Sequence, residues 1–280
     1  MRWPADGRCV GAAIALIAAL QAAPATAAPN DAAWNRCLSS EAQAAITGCT
    51  AVIGRAKAPD DLAAAYNSRG IAYSARKQFD EAIRDFSRAI ELRPTQAEIY
   101  FNRGVAFEGR SQDDRALGDF DRALALRPTD ADALVRRAGI YRRRGLLDRA
   151  IADDTDALAI NTSDADAYLD RSAAFAAKGL DQLAADDATQ AIFLRPDLVE
   201  AYLARSAAYA HAGRYDQAIA DATQAITLDP EAAAAYAARG AAYEAKGLRD
   251  QAIADYRAAL KLDRQLPAAI EGLGRLRAGP

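Results

Sequence analysis

The chain has 280 residues and a formal net charge of −3, from 35 lysines and arginines against 38 acids. That balance argues against the basic footprint of a nucleic-acid binder, and no nucleic-acid partner is expected. The chain is 51% apolar but only 7% aromatic, so alanine supplies much of the apolar count and one wide globular core is a poor fit.

The first segment reads as a leader. "MRWPADGR" carries Arg2 and Arg8, "CVGAAIALIAALQAA" is apolar, and "ATA" at 25–27 offers a small-x-small cleavage site. Residues 1–27 are therefore expected to be a secretory signal peptide, cleaved near Ala27. Cys9 precedes the apolar stretch, which is not where a lipoprotein cysteine stands. The apolar stretch is too short for a membrane span, so no span is expected in the mature chain.

Export gives the next segment its meaning. The mature chain keeps two cysteines, Cys37 and Cys49, in "WNRCLSSEAQAAITGCTAVI". An even count in an oxidising compartment favours a disulfide; two buried thiols are the alternative. "AAITGCTAVI" aligns with "EAIRDFSRAI" further on, with Cys49 at the place of Phe86. Residues 30–62 are read as a degenerate, disulfide-stapled N-terminal cap.

From residue 63 the sequence repeats every 34 residues. Tyr66, Tyr100, Leu134, Tyr168, Tyr202 and Tyr236 recur at that step. Three residues after each comes an arginine, then a small residue: Gly70, Gly104, Ala138, Ser172, Ser206 or Gly240. Two alanines seven residues apart, Ala82 and Ala89 in the first unit, recur in all six units. Such coincidence without an insertion marks an array of one supersecondary unit. Within a unit, Tyr66, Gly70 and Tyr73 fall on one face of a helix. Gly145, Gly179, Gly213 and Gly247 mark a break. A second helix follows, stopped by Pro94, Pro128, Pro196 or Pro230. "PTD" and "SDAD" supply capping oxygens for the next helix. No period-two strand pattern occurs, so the expected class is all-α.

This pattern of aromatic, small residue, aromatic, two spaced alanines and proline resembles the tetratricopeptide repeat (TPR) family. The resemblance covers 63–266 as six units: 63–96, 97–130, 131–164, 165–198, 199–232 and 233–266. It implies a right-handed α-solenoid of helix-turn-helix repeats. Departures are local. Asp154 stands for a bulky residue, Ala188 and Ala222 are undersized, and Thr162 and Arg264 replace the proline, so these places are expected to be softer. Residues 267–280 repeat only a first helix and are read as a C-terminal capping helix.

Where these six units carry Arg69, Arg103, Arg137, Arg171, Arg205 and Arg239, the family usually has leucine. A charge on a packing face needs a partner. Asp85, Asp119, Asp153, Asp187, Asp221 and Asp255 recur with the same period, each 16 residues after its own unit's arginine and 18 before the next. Pairing within a unit satisfies all six, whereas pairing between units strands two. One arginine bridging both sides stays open, as does an anion-binding ladder.

In the family, the concave face is built from first-helix side chains. By that resemblance the candidate partner-binding groove comprises Asn67, Ile71, Glu98, Phe101, Val105, Val135, Arg142, Leu169 and Leu203, small and apolar with acidic edges. Such a surface suits an extended segment or amphipathic helix with some basic character. Packing against neighbouring first helices is the structural alternative. Arg136, Arg142, Arg143 and Arg144 form a basic run, read as a face paired with Glu98, Glu108, Asp166 and Asp170. His211 is the single histidine, there is no glycine-rich phosphate loop, and the pairs Asp153-Asp154 and Asp186-Asp187 read as part of the repeat. No cofactor, metal or catalytic residue is expected. The functional expectation is a non-enzymatic scaffold in the periplasm or cell envelope that binds a protein or peptide. A self-associating solenoid and an accessory subunit of an envelope enzyme complex are the alternatives.

Overall fold

The computed structural model describes residues 31–279; the leader read over 1–27 lies outside them. The described residues form fifteen helices and no strand. Two short helices come first, α1 (Ala32–Cys37) and α2 (Ala42–Ile53). Six helix pairs follow: α3 (Pro59–Ala75) with α4 (Phe79–Leu92), α5 (Ala97–Gly109) with α6 (Asp113–Leu126), α7 (Ala131–Arg143) with α8 (Leu147–Ile160), α9 (Ala165–Ala177) with α10 (Asp181–Leu194), α11 (Val199–His211) with α12 (Tyr215–Leu228), and α13 (Ala233–Ala245) with α14 (Arg249–Leu262). A last helix, α15 (Pro267–Arg275), ends the chain. The chain divides into two compact units, with the break between Pro128 and Thr129. In each unit, consecutive helices pack in sequence order, as in an all-α solenoid of helix-turn-helix repeats.

The turn inside each pair has one form. In the third repeat, Leu146 N–H donates to the Tyr141 carbonyl and Gly145 N–H to the Arg142 carbonyl. This is a Schellman cap, and it needs a left-handed residue at its centre. Gly145, Gly179, Gly213 and Gly247 supply it with φ between 72° and 82°. The first two repeats keep the same bonds with Lys77 (φ 57°) and Ser111 (φ 56°), a strained choice for residues with a Cβ.

The second helices also end alike, with or without proline. Arg93, Arg127, Arg195 and Asp229 take extended backbone angles just before a proline, which disfavours helix in the residue preceding it. Asn161 and Asp263 take the same angles without one. There an Asx turn substitutes: Ser163 N–H donates to Asn161 Oδ1 at 3.1 Å, and Gln265 N–H to Asp263 Oδ1 at 2.9 Å. At Thr162 and Arg264 a side-chain hydrogen bond thus stands at the stop that proline would impose.

Between the two helices of a pair, size is matched across one contact. In the first, second and sixth repeats a glycine of the first helix faces a ring of the second: Gly70 under Phe86, Gly104 under Phe120, Gly240 under Tyr256. A Cβ on Gly104 would lie 2.7 Å from the Phe120 ring. Where the ring shrinks to Ala188 or Ala222, the glycine becomes Ser172 or Ser206, and each hydroxyl donates to a carbonyl of the second helix at 2.7 or 2.8 Å. These positions are therefore repacked around the smaller side chain. The recurring alanines, among them Ala82, Ala89, Ala116 and Ala123, are fully buried at the helix crossings.

At the N-terminus, Trp34, Cys37, Cys49, Val52 and Ala65 form one cluster joining α1, α2 and α3. The sulfurs of Cys37 and Cys49 stand 2.06 Å apart, at bonding distance. α3 starts at Pro59, ahead of the repeat frame, because proline at its first turn and Asp60 and Asp61 beside it favour a helix start there. At the other end, Ala269 and Leu273 of α15 cover Tyr256 and Ala259.

Candidate peptide-binding face

The recurring arginines come first, because they hold each hairpin in shape. Nε and Nη2 of Arg69, Arg103, Arg137, Arg171, Arg205 and Arg239 donate to the two carboxylate oxygens of Asp85, Asp119, Asp153, Asp187, Asp221 and Asp255 respectively, at 2.7–2.9 Å. Each pair lies within its own repeat. This two-point geometry is the strong form of an arginine–carboxylate contact. It raises the pKa of the guanidinium: for Arg171 the hydrogen bond to Asp187 is the largest cause, partly opposed by burial.

The third arginine nitrogen reaches a neutral hydroxyl, which charge spacing does not mark. Nη1 of Arg69, Arg103, Arg171, Arg205 and Arg239 donates to a hydroxyl of the preceding repeat: Thr50, Ser87, Thr155, Thr189 and Thr223, at 3.0–3.3 Å. Each hydroxyl in turn donates to a carbonyl four residues back, Ile83 in the case of Ser87, so its lone pairs face the arginine. The arginine thus bridges both sides, with an aspartate in its own repeat and a hydroxyl in the one before. The signal was present as Ser87, Thr155, Thr189 and Thr223, two residues after Asp85, Asp153, Asp187 and Asp221. The guanidinium also lies 5.6–5.9 Å from flanking rings, such as Tyr66 and Tyr73 for Arg69.

Successive first helices pack on one another within each unit: α3 on α5 in the first; α7 on α9, α9 on α11, α11 on α13 and α13 on α15 in the second. This layer carries the candidate groove residues. In the first unit, Asn67 is buried and accepts a hydrogen bond from Asn102 Nδ2 at 3.1 Å, so it is committed to joining α3 and α5. Ile71 packs on the cluster around Phe86. Phe101 is half-buried, its ring 5.9 Å from that of Phe120. Glu98 and Val105 are half-buried beside it on the same helix. In the second unit, Val135, Leu169 and Leu203 are half-buried, with Leu169 against the cluster of Ala165, Ala191 and Ala201. Nη2 of Arg142 donates to Asp170 Oδ1 at 2.9 Å.

Two sequence readings need correction. Asp166 does not pair with the basic run of the third repeat; its partner is Arg195. Nor are the two Asp-Asp pairs equivalent. Asp187 belongs to the ladder while Asp186 is exposed and accepts from Gln182, but in the other pair Asp153 belongs to the ladder and Asp154 is buried. Neither Asp154 oxygen has a hydrogen-bond partner. Burial, then the nearby Asp170 charge, push its pKa up to about 9. Among the described residues no group of histidines, cysteines or acids is arranged to hold a metal ion. His211 lies 3.4 Å from Asp181 at an exposed helix end.

Stacked helical hairpins with a half-buried apolar first-helix layer define a class of protein-interaction repeat. Profiles described as tetratricopeptide repeat match residues 63–96, 112–165, 199–232 and 233–266, together more than half of the chain. The chain belongs to the tetratricopeptide repeat family. Solved structures agree. YrrB, described as a TPR protein with an unusual peptide-binding site, is 22% identical over 68% of this chain and 97% of its own, with a TM-score of 0.57. MamA is 28% identical over 58% of this chain and 95% of its own, with a TM-score of 0.54. PilF of Pseudomonas aeruginosa is 15% identical over 78% and 100%, with a TM-score of 0.66. No curated protein matches the chain. Proteins of this family are generally non-enzymatic scaffolds for protein–protein interaction, and its repeats make this chain a protein–protein interaction scaffold.

Proposed function

We propose that the chain is exported, is cleaved near Ala27, and takes a peptide or helical segment of an envelope protein on its first-helix face. The observation that carries this is the half-buried apolar set Val135, Leu169 and Leu203 on the first-helix layer of the second unit; Phe101 stands on the corresponding layer of the first. Side chains left between core and solvent on a rigid layer are ready to finish their burial against a partner. The peptide-binding site named for YrrB supports a peptide as the occupant. Export rests on the leader's charge, apolar stretch and cleavage site, and it accords with a Cys37–Cys49 disulfide, which an oxidising compartment would preserve.

The test is capture from an envelope extract on the immobilised chain, with Phe101→Ala and Leu169→Glu as comparisons. Both variants should keep their helical circular-dichroism signal and lose the captured protein. Retention of the same protein by both folded variants overturns the groove.

A further inference from the structure

One place in the second unit is built like its neighbours but left electrically unfinished. Its finished version is in the sixth repeat. There Tyr256 is buried between α13 and α15, and its hydroxyl donates to Glu244 Oε2 at 2.6 Å. Its ring lies against Gly272, and Arg275 of α15 closes the site with two bonds to Glu244 at 2.8 Å.

Three repeats earlier the same register places Asp154 at the position of Tyr256, Arg142 at that of Glu244, and Asp170 at that of Gly272. Asp154 is 1% exposed and neither of its oxygens is hydrogen-bonded. Arg142 reaches Asp170 through a single nitrogen, and its own buried Nε has no acceptor. The charged groups around Asp154 are Arg142 of α7, Asp153 of α8, and Asp170 and Arg171 of α9. Asp153 and Arg171 are already committed to Arg137 and Asp187. Asp170 takes the Arg142 hydrogen bond and also feels Asp166 and Arg143, while Asp154 is left with no hydrogen-bond partner of its own. The side chains of Asp170 and Arg142 are 32% and 35% exposed, so both of these neighbours of the buried Asp154 reach solvent. Asp154 is several atoms shorter than the rings at its position, and Ala138, in the place of the facing glycine, adds only a methyl.

We propose that Asp154, Asp170 and Arg142 form a subsite that receives one cationic side chain, a lysine ammonium or an arginine guanidinium, from a protein partner. This rests on the reading of the first-helix face as a peptide groove and adds the chemistry of the anchor. Before binding, Asp154 keeps a proton, since burial and Asp170 hold its pKa near 9. The incoming cation replaces that proton, which passes to solvent, and binding at neutral pH releases it.

The experiment is an array of random dodecapeptides probed with the chain, each bound peptide being remade with norleucine for lysine or citrulline for arginine. Bound peptides should share one basic residue that these neutral analogues cannot replace. Asp154→Asn, which keeps the shape but cannot ionise, should lower their signal about tenfold, the worth of one charge-assisted contact. Asp170→Asn, on the solvent-facing side, should do the same and gives the comparison independently if the buried variant folds poorly. Bound peptides with no required cation, or a requirement that both variants leave unchanged, overturn the subsite and leave the groove standing. An array with no bound peptide overturns the groove itself, and the subsite with it.

Discussion

Arg171 shows what the repeated charge contributes. It meets Asp187 with two nitrogens and Thr155 with the third, and both members of the ion pair are mostly buried. Removing the aspartate alone leaves a guanidinium facing protein without its counter-charge, which costs about 3 kcal/mol. Asp187→Ala should lower the urea midpoint accordingly, while Arg171→Met with Asp187→Leu should recover much of the loss, because no charge is stranded. An unchanged midpoint in the single variant would mean the pair carries no net stability. Asp154 predicts the reverse behaviour. Its folded pKa, about 9, lies above the unfolded value near 3.8. The proton it holds therefore favours folding fully below about pH 4, and this contribution is lost as the pH rises towards 9. Asp154→Leu should melt higher than the parent at pH 8, and its melting temperature should fall less between pH 5 and 9. Parallel pH profiles for the two proteins would refute the assignment. Glu244, held low by the hydrogen bond from Arg275, acts only below the ordinary carboxylate range, outside that window.

For the helices, the governing fact is that ring and glycine positions are chosen together. Gly104→Ser puts atoms into the space of the Phe120 ring, and overpacking of this kind costs about 1–3 kcal/mol. Phe120→Ala alone opens a cavity. Together the two changes reproduce the Ser172–Ala188 contact of the fourth repeat, so the double variant should be more stable than the sum of the single losses predicts. Simple additivity in a double-mutant cycle by denaturant unfolding would show the contact is not coupled. A second element-scale test lies in the turns. Ser111 holds the left-handed centre of a cap that four other repeats build with glycine, so Ser111→Gly should stabilise by up to about 1 kcal/mol, read as a raised melting temperature. Helix existence and order were legible because the 34-residue period exposes both apolar faces and both breaks. The compensation at Ser172 was not, since it depends on what faces it 16 residues later. Likewise Thr162 read as a lost stop, because the Asx turn from Asn161 that replaces proline is a side-chain hydrogen bond with no period of its own.

On the scale of the whole chain, a repeat array is held by intrinsic hairpin stability plus contacts between neighbours. The hydroxyl bridges follow that rule. Arg205 ties its repeat to Thr189 of the one before, and Arg239 ties the next to Thr223. Damage at one hairpin should therefore spread by one neighbour and fade. The period in the sequence made the ladder of arginines and aspartates visible but not this sharing, because charge spacing alone treats a neutral hydroxyl as inert. Native-state hydrogen exchange on Asp187→Ala reads the difference. Amides of α9 and α10 should lose the most protection. α11 should lose some, through the contact of Arg205 with Thr189 on α10, and α13–α15 should stay close to the parent. Uniform loss across α7–α15 would mean the unit opens as one cooperative block, and the nearest-neighbour account would fail. Thr189→Val separates the bridge from the pair: it removes the hydroxyl but leaves Arg205 on Asp221, so protection should fall at α10 and α11 alone, by less than the cost of a broken ion pair.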